Sequence, residues 1–360
     1  MKLCPLAELN GRALRSAAGD GINGARPRGC IAGCAVPPQF PFALAPGARS
    51  LQAPLIRIGT RGSPLALAQA HEVRDRLMAA HTRPESDFEI VIIKTAGDRI
   101  LDRPLAEVGG KGLFTKEIED ALLDGTIDLA VHSMKDMQTK LPGSLAIGAV
   151  LEREDVRDAF ISLKYSSLAD MPAGAVVGTS SLRRQAQVKR IRPDLKVVGF
   201  RGNVQTRLKK LQDGIAEATF LACAGLNRLG MAQRITRAVP TDEMLPAVAQ
   251  AAIGIEIRSG DEKTSSLIAP LDHQPTRTCV QAERAYLARL EGSCRTPIGG
   301  LATFDGNGHI FFRGEILSPD GQVVHATHRT AEAADAEEMA DALAQELLAK
   351  AGPGFFSVTG

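Results

Sequence analysis

The sequence predicts two α/β lobes with mixed, mainly parallel sheets, followed by a small α+β domain at the C-terminus. Three observations carry that expectation. Short apolar runs alternate with helical, glycine-punctuated segments from residue 55 to about residue 257, the mark of βαβ units. At 360 residues the chain is longer than one hydrophobic core organises, a limit of about 250–300 residues. Beyond about residue 270 the order changes to a helix, three strand-like runs and a closing helix. The expected division is a disordered extension at 1–54, a first lobe at 55–152 with 251–270, a second lobe at 153–250, and a third domain at 271–360.

Composition narrows the class. The chain is 44% hydrophobic and 23% charged, ordinary for a globular protein, and no apolar run approaches the roughly 20 residues of a membrane helix. Residues 1–50 hold six Lys/Arg against two Asp/Glu, leaving 37 against 39 for the rest. A nucleic-acid binder carries a basic excess across its domain, so nucleic acid is not an expected partner. Six cysteines, Cys4, Cys30, Cys34, Cys223, Cys279 and Cys294, show no disulfide-framework spacing and suit a reducing compartment. Cys30 and Cys34 have the spacing of half a metal site, but no His or Cys pair nearby completes it, and no metal is expected.

The extension is rich in Gly, Pro, Ala and Arg, without helix or strand period. Its Arg-rich, acid-poor character also fits an organelle transit peptide, although Ser16 and Ser50 are its only serines. A start of translation nearer Leu51 or Leu55 is a third reading; the expected location is cytoplasmic.

In the first lobe, residues 55–59 (LIRIG) predict a strand and 60–64 (TRGSP) a strand-to-helix junction, with Ser63 as N-cap, Pro64 at the first helical position and Arg61 at the mouth. The helix should run to about Ala80 with Leu65, Val73, Leu77 and Met78 on its buried side, and 89–93 should be the next strand. Residues 99–112 (RILDRPLAEVGGKG) are polar and aperiodic, as a loop over a site would be. Lys111 in that loop fails the Walker pattern, because Ala106 and Gly112 occupy two of its fixed positions. A helix at 115–123 and a strand at 127–131 then deliver His132, Ser133, Met134, Lys135 and Asp136 to the carboxyl end of a sheet, where ligands collect in open α/β folds. Asp136 is a candidate catalytic carboxylate; the alternative is a turn-forming Asp paired to Lys135.

The second lobe contains the same device twice. The apolar run 175–177 ends in Gly178, then Thr179, Ser180 and Ser181 precede a helix opened by Arg183 and Arg184; residues 197–198 lead to Arg201, Gly202 and Asn203, a cap for a helix carrying Arg207. Each junction offers unpaired N–H groups and a positive dipole end, to which arginine forks that bind carboxylates are added. The stretch reads as a surface for several acidic groups; solvated helix-surface arginines are the alternative. Residues 251–257 are a buried-type strand able to return to the first lobe. Two lobes with helix N-termini facing a cleft resemble the two-lobed, periplasmic-binding-protein-like scaffold of solute receptors, an analogy of fold alone.

In the third domain a helix at 276–290, strands at 300–304, 310–317 and 322–328 and a helix at 333–350 are expected. Cys294 lies in a Gly-Ser turn beside Arg295, a setting for an exposed thiol, or else it is a small buried hydrophobe, the reading that Cys223 and Cys279 fit better.

Six motifs in register, residues 61–66 (RGSPLA), 109–114 (GGKGLF), 131–136 (VHSMKD), 178–185 (GTSSLRRQ), 201–207 (RGNVQTR) and 290–294 (LEGSC), together resemble the hydroxymethylbilane synthase, or porphobilinogen deaminase, family over residues 55–350. That resemblance implies a transferase of tetrapyrrole biosynthesis. It would join four porphobilinogen molecules, each losing ammonia, on a dipyrromethane cofactor bound as a thioether to Cys294. Asp136 would be the catalytic carboxylate; Lys111, Ser133, Lys135, Ser181, Arg183 and Arg184 would hold the cofactor, and Arg61, Ser63, Arg201, Arg207 and Arg228 the incoming or growing rings. The expected enzyme is a monomer with no metal, no membrane and no nucleic-acid partner. Each ring carries an acetate and a propionate, so the growing chain gathers negative charge that arginine suits. Asp136 would steady the cation left when ammonia departs. The family commonly shows Gly-Gln-Gly where this chain has Ala249, Gln250 and Ala251, and often Gly at Ser293; the first departure predicts a stiffer link between the lobes.

Overall fold

The computed structural model describes residues 55–99, 112–292 and 296–356. The 1–54 extension, most of the expected loop at 99–112 with its Lys111, and Cys294 with its neighbours Ser293 and Arg295 lie outside the described residues.

In chain order the first run is β1 (Ile56–Arg61), α1 (Pro64–His81), β2 (Phe88–Ile93), α2 (Ala96–Arg99), α3 (Lys116–Leu123), β3 (Leu129–Ser133) and β4 (Leu145–Val150). α1 begins where the sequence directs it: the Ser63 hydroxyl accepts the Ala66 amide at 3.2 Å, with Pro64 in the first turn. It ends at Thr82, whose left-handed backbone (φ 50°) breaks the helix. Val73 and Leu77 are fully buried against Ile58 and Leu129 in one apolar cluster, each such side chain stabilising by roughly 1.5–3 kcal/mol. Leu65, expected on the same side, instead lines the cleft beside the carboxyl end of β1.

The second run is β5 (Asp158–Ser162), β6 (Val176–Gly178), α4 (Leu182–Ile191), β7 (Lys196–Val198), α5 (Val204–Gln212), β8 (Ala218–Ala222), α6 (Cys223–Arg228) and β9 (Arg237–Val239). Ser181 and Asn203 cap α4 and α5, accepting the amides of Arg184 and Thr206. Phe160 and Phe220 meet edge to face, 5.6 Å apart, inside this sheet's core. β10 (Ile253–Arg258) and α7 (Glu262–Ile268) follow. β10 pairs antiparallel with both β3 and β4, so the chain comes back to the first sheet after building the second.

The two five-stranded sheets run β2-β1-β3-β10-β4 and β7-β6-β8-β5-β9. In each, four strands point one way and a single strand, β10 or β5, opposes them. The mixed, mainly parallel pattern puts the ends of β1, β3 and β6, and the helices that follow β6 and β7, toward one cleft. The last elements are α8 (Gln274–Arg289), β11 (Ile298–Phe304), β12 (His309–Leu317), β13 (Val324–Glu332) and α9 (Ala336–Ala351), with β11-β12-β13 an antiparallel sheet. Tyr286 of α8 packs against Phe312 of β12, ring centres 5.0 Å apart, in the cluster that also holds Leu343 and Leu347 of α9. β13 extends past residue 328 because β12 pairs with it along its whole length while its side chains stay largely exposed, which erases the apolar alternation. Cys223 and Cys279 are buried free thiols, and burial pushes them up to about 12 and about 11 respectively. No helix among the described residues is long and apolar enough to cross a membrane.

Candidate active site

β1 and β3 are parallel neighbours, so their carboxyl ends open side by side. One cleft there is lined by Arg61, Ser63, Phe114, His132, Ser133 and Asp136. The Arg61 guanidinium lies 4.2 Å over the Phe114 ring, grips Asp98 through Nε and Nη2, and has Nη1 4.0 Å from Asp136 Oδ2. Ser133 exchanges hydrogen bonds with Gln69 of α1 at 2.9 and 3.1 Å. Behind them, buried His132 Nε2 meets buried Glu256 Oε2 of β10 at 3.0 Å. Asp136, on the single 3-10 turn after β3, keeps 41% of its side chain exposed to the cleft and, among the described residues, makes no ion pair closer than that with Arg61. The turn-forming alternative, an Asp136 paired to Lys135, has no such contact among the described residues.

The second lobe supplies cations. Arg183 Nη1 donates to Asp158 Oδ2 and to the Leu245 carbonyl, both at 2.7 Å, while Arg184 grips Asp158 Oδ1 with Nε and Nη2 and the Phe220 carbonyl with Nη1. Both arginines are buried, 4% and 5% exposed, which overturns the solvated-surface alternative. Burial alone would raise the Asp158 carboxyl, but the two guanidiniums outweigh it and hold the group well below the usual carboxylate range. Burial pushes Lys135 down to about 8 against the pull of Asp136, with Arg184 and Arg183 adding repulsion. It also pushes Arg207 down to about 10, with Arg184 next in effect and Asp136 opposing. Arg207 donates to the Gly202 carbonyl, and a buried terminal nitrogen of Arg201 has no partner. Asp136, Lys135, Arg184, Arg201 and Arg207 thus act within one field.

Two of the expected site residues have protein partners in this conformation. Arg228 Nε reaches Glu72 of α1 at 3.3 Å and its Nη2 the Ala251 carbonyl at 2.9 Å, with 8% of the side chain exposed. In this conformation it ties the lobes together, because α6 lies against α1. Arg183 is likewise spent on Asp158 and Leu245, so it supports its neighbour Arg184 more than it faces a ligand. Residue-by-residue reading missed Asp98, Asp158, Gln69 and Phe114. Asp158 had a signal: it is the first residue of an apolar strand (DAFIS), where an acid is out of place unless something pairs with it.

The cleft therefore holds more buried cation than fixed anion. Lys135 and Arg207 have no carboxylate at bonding distance among the described residues, and burial disfavours the charged form of both without removing it. Such a surplus fits a ligand bearing several carboxylates.

Comparison with known proteins agrees with this geometry. The model of the porphobilinogen deaminase dipyromethane cofactor binding domain matches residues 56–266, and that of the porphobilinogen deaminase C-terminal domain matches residues 277–349. The chain is 61% identical over 301 residues to a porphobilinogen deaminase of Paracoccus denitrificans, covering 84% of this chain and 96% of the relative. It is 59% identical over 306 residues to a chloroplastic porphobilinogen deaminase of Oryza sativa, covering 84% and 86%. A Nitrobacter winogradskyi porphobilinogen deaminase is 56% identical over 304 residues, with 84% and 96% covered. With both parts of the family pattern matched in order and these identities spanning nearly the whole of two relatives, the chain belongs to the porphobilinogen deaminase family.

Proposed function

We propose that this chain deaminates porphobilinogen and joins four molecules head to tail into the linear tetrapyrrole hydroxymethylbilane, releasing ammonia, on a dipyrromethane cofactor attached to Cys294. The observation that carries this reading is the cationic surplus around Asp136. Lys135 and Arg207, each depressed by burial, have no carboxylate at bonding distance among the described residues and would gain one from an acidic ligand.

When bound, the cofactor supplies a tethered pyrrole end to which each new ring is joined. Lys135, Arg184, Ser133 and Ser181, with Lys111, hold its carboxylates, and Arg183 holds Arg184 in place through Asp158. Arg61, Ser63, Arg201 and Arg207 take the acetate and propionate groups of incoming or growing rings. As the aminomethyl C–N bond breaks and ammonia leaves, the Asp136 carboxylate balances the positive charge left on the substrate carbon. It then accepts the proton released when the new C–C bond forms. Arg228, which holds Glu72 and the Ala251 carbonyl in this conformation, would join the ring-binding set by exchanging those partners for a ring carboxylate. The chain would divide into three domains, with crossings near residues 152 and 250 and the last domain from residue 271, a reading supported by its three separate sheets. The enzyme works as a monomer in the cytoplasm, without nucleic acid or membrane.

Intact mass and Ehrlich's aldehyde reagent test this directly. The purified chain should carry two extra pyrrole units and give a coloured product. Cys294→Ser should lose both, and a normal pyrrole-bearing mass in that variant would overturn the attachment.

A further inference from the structure

Helix α1 lines the cleft with Leu65 and Gln69 in its first two turns. Glu72 follows Gln69 by three residues, so it stands on the same face about one turn, ~5 Å, farther from the cleft. Helix α6 of the second lobe lies along that face. A Cβ at Gly225 would stand 3.4 Å from Leu65 Cδ2, and Arg228, three residues after Gly225, meets Glu72.

The Glu72 carboxylate is divided between two guanidiniums. Its Oε1 accepts Nη2 of Arg76, on the same helix, at 2.9 Å, and its Oε2 accepts Arg228 Nε from the other lobe at 3.3 Å. Arg228 Nη2 donates to the Ala251 carbonyl, and Nη1 makes no hydrogen bond among the described residues. Other buried arginines are held more tightly: Arg153, Arg183 and Arg184 reach fully buried carboxylates at 2.6, 2.7 and 2.7 Å. Glu72 leaves 27% of its side chain exposed. Burial disfavours the charge on Arg228; Glu72 and then Glu154 favour it, and Arg76 opposes. Arg228 is thus a buried cation whose anion is shared, single-pronged and reachable by water, and such a contact is exchanged at less cost than a buried bidentate pair.

We propose that Glu72 is a built-in competitor for Arg228: it occupies the guanidinium, and holds α6 against α1, until a ring carboxylate displaces it. This rests on the ring-binding role given to Arg228 above. A ligand that needs a free Arg228 binds with an apparent affinity reduced by the fraction of molecules in which Arg228 is free. Glu72 therefore sets how strongly an acidic ligand is held. Each exchange also undoes a contact between the lobes, so the ligand itself loosens the wall of the cleft it enters.

The test uses the purified, pyrrole-bearing chain. Glu72→Gln keeps the shape and removes the charge; it should lower KM for porphobilinogen by about threefold or more, with kcat within about twofold. A residue that merely braced the cleft would raise KM or lower kcat when changed. Glu154→Gln is the control for general charge, because Glu154 also faces Arg228 electrostatically but is bonded to Asn227, at 3.2 and 2.9 Å. Its KM should stay close to that of the parent. Arg228→Ala should raise KM, and Glu72→Gln added to it should change KM no further. Hydrogen exchange without substrate gives a readout apart from turnover. The Gly230 and Met231 amides, bonded to the Asn227 and Leu226 carbonyls at the end of α6, should exchange faster in Glu72→Gln than in the parent.

An unchanged or raised KM in Glu72→Gln, an equal fall in Glu154→Gln, or a fall that persists beside Arg228→Ala would overturn the competition. Unchanged KM in Arg228→Ala would overturn it too, by taking the ring away from Arg228 while leaving the enzyme's activity standing. A parent that consumes no porphobilinogen would sink the activity instead, and the exchange result would then decide whether Glu72 holds α6 against α1.

Discussion

Glu283 of α8 accepts both terminal nitrogens of Arg153, at 2.6 and 3.0 Å, and also the amides of Ala249 and Ala302. The same arginine donates through Nε to the Gln250 carbonyl at 2.9 Å. One fully buried carboxylate therefore joins the first crossover, the returning segment and β11.

Removing that carboxylate strands a buried guanidinium and two amides. Glu283→Ala should cost about 3–5 kcal/mol of stability, the usual penalty for breaking a buried pair from one side. Urea unfolding measures it, and a loss below about 1 kcal/mol would show that water replaces the carboxylate at no great cost.

Asp158 predicts a pH dependence of stability. Its folded carboxyl is held well below its unfolded value, so its contribution is complete above the unfolded value near 4 and is lost as pH falls through the folded one. Asp158→Asn leaves Arg183 and Arg184 facing each other without an anion, and should lower stability at pH 7 by about 3–5 kcal/mol. The gap between parent and variant should narrow between about pH 5 and pH 2. A constant gap in melting temperature across that range would refute the linkage.

How far the sequence went can be traced through these residues. The caps Ser63, Ser181 and Asn203 were legible because capping is local: a hydroxyl or amide side chain bonds an amide two or three residues on. Alternation gave the strands for the same reason, and it failed at β13, where exposure of one face removed the contrast. Asp158, Asp98 and Glu72 were not legible as arginine partners, because each pair spans tens of residues and is made by tertiary packing; Glu72 and Arg228, 156 residues apart, also depend on how the lobes meet. Arg228 shows the limit: its sequence neighbourhood is the same whether its partner is a ring carboxylate or Glu72.

Ala249 and Ala251 carry strain that the sequence hinted at and the backbone locates. Both are buried, with φ of 57° and 75°, in the left-handed region, where an L-residue pays about 1–2 kcal/mol. Glycine relieves that cost but adds about 0.4–1 kcal/mol of unfolded-state entropy, so Ala249→Gly and Ala251→Gly should each stay within about 1 kcal/mol of the parent. A β-branched side chain is far less tolerant of this backbone, and overpacking adds about 1–3 kcal/mol. Ala251→Val should therefore destabilise by more than 2 kcal/mol, roughly the sum of part of each cost. Equal stability of the Gly and Val variants would mean that the segment relaxes out of the left-handed region.

Asp136 decides the chemistry, and its geometry makes the test clean. Its carboxylate is partly exposed, and among the described residues its one ion pair is with Arg61 at 4.0 Å and it makes no short hydrogen bond. Asp136→Asn keeps the shape and removes the charge, so the fold and the pyrrole-bearing mass should survive. Turnover should fall by about 100-fold or more, the scale seen when one preorganised group facing developing charge is removed. Asp136→Ala should fall at least as far, because no polar group remains to hold a proton. A single-turnover rate for ammonia release within about tenfold of the parent, about 1.4 kcal/mol of barrier, would transfer the role to another group. Among the described residues, the acids beside it would then be Asp98, already clasped by Arg61, and Asp158, already clasped by two arginines. Neither could balance a new cation without first releasing its own, which is why the least-bound carboxylate is the one expected to act.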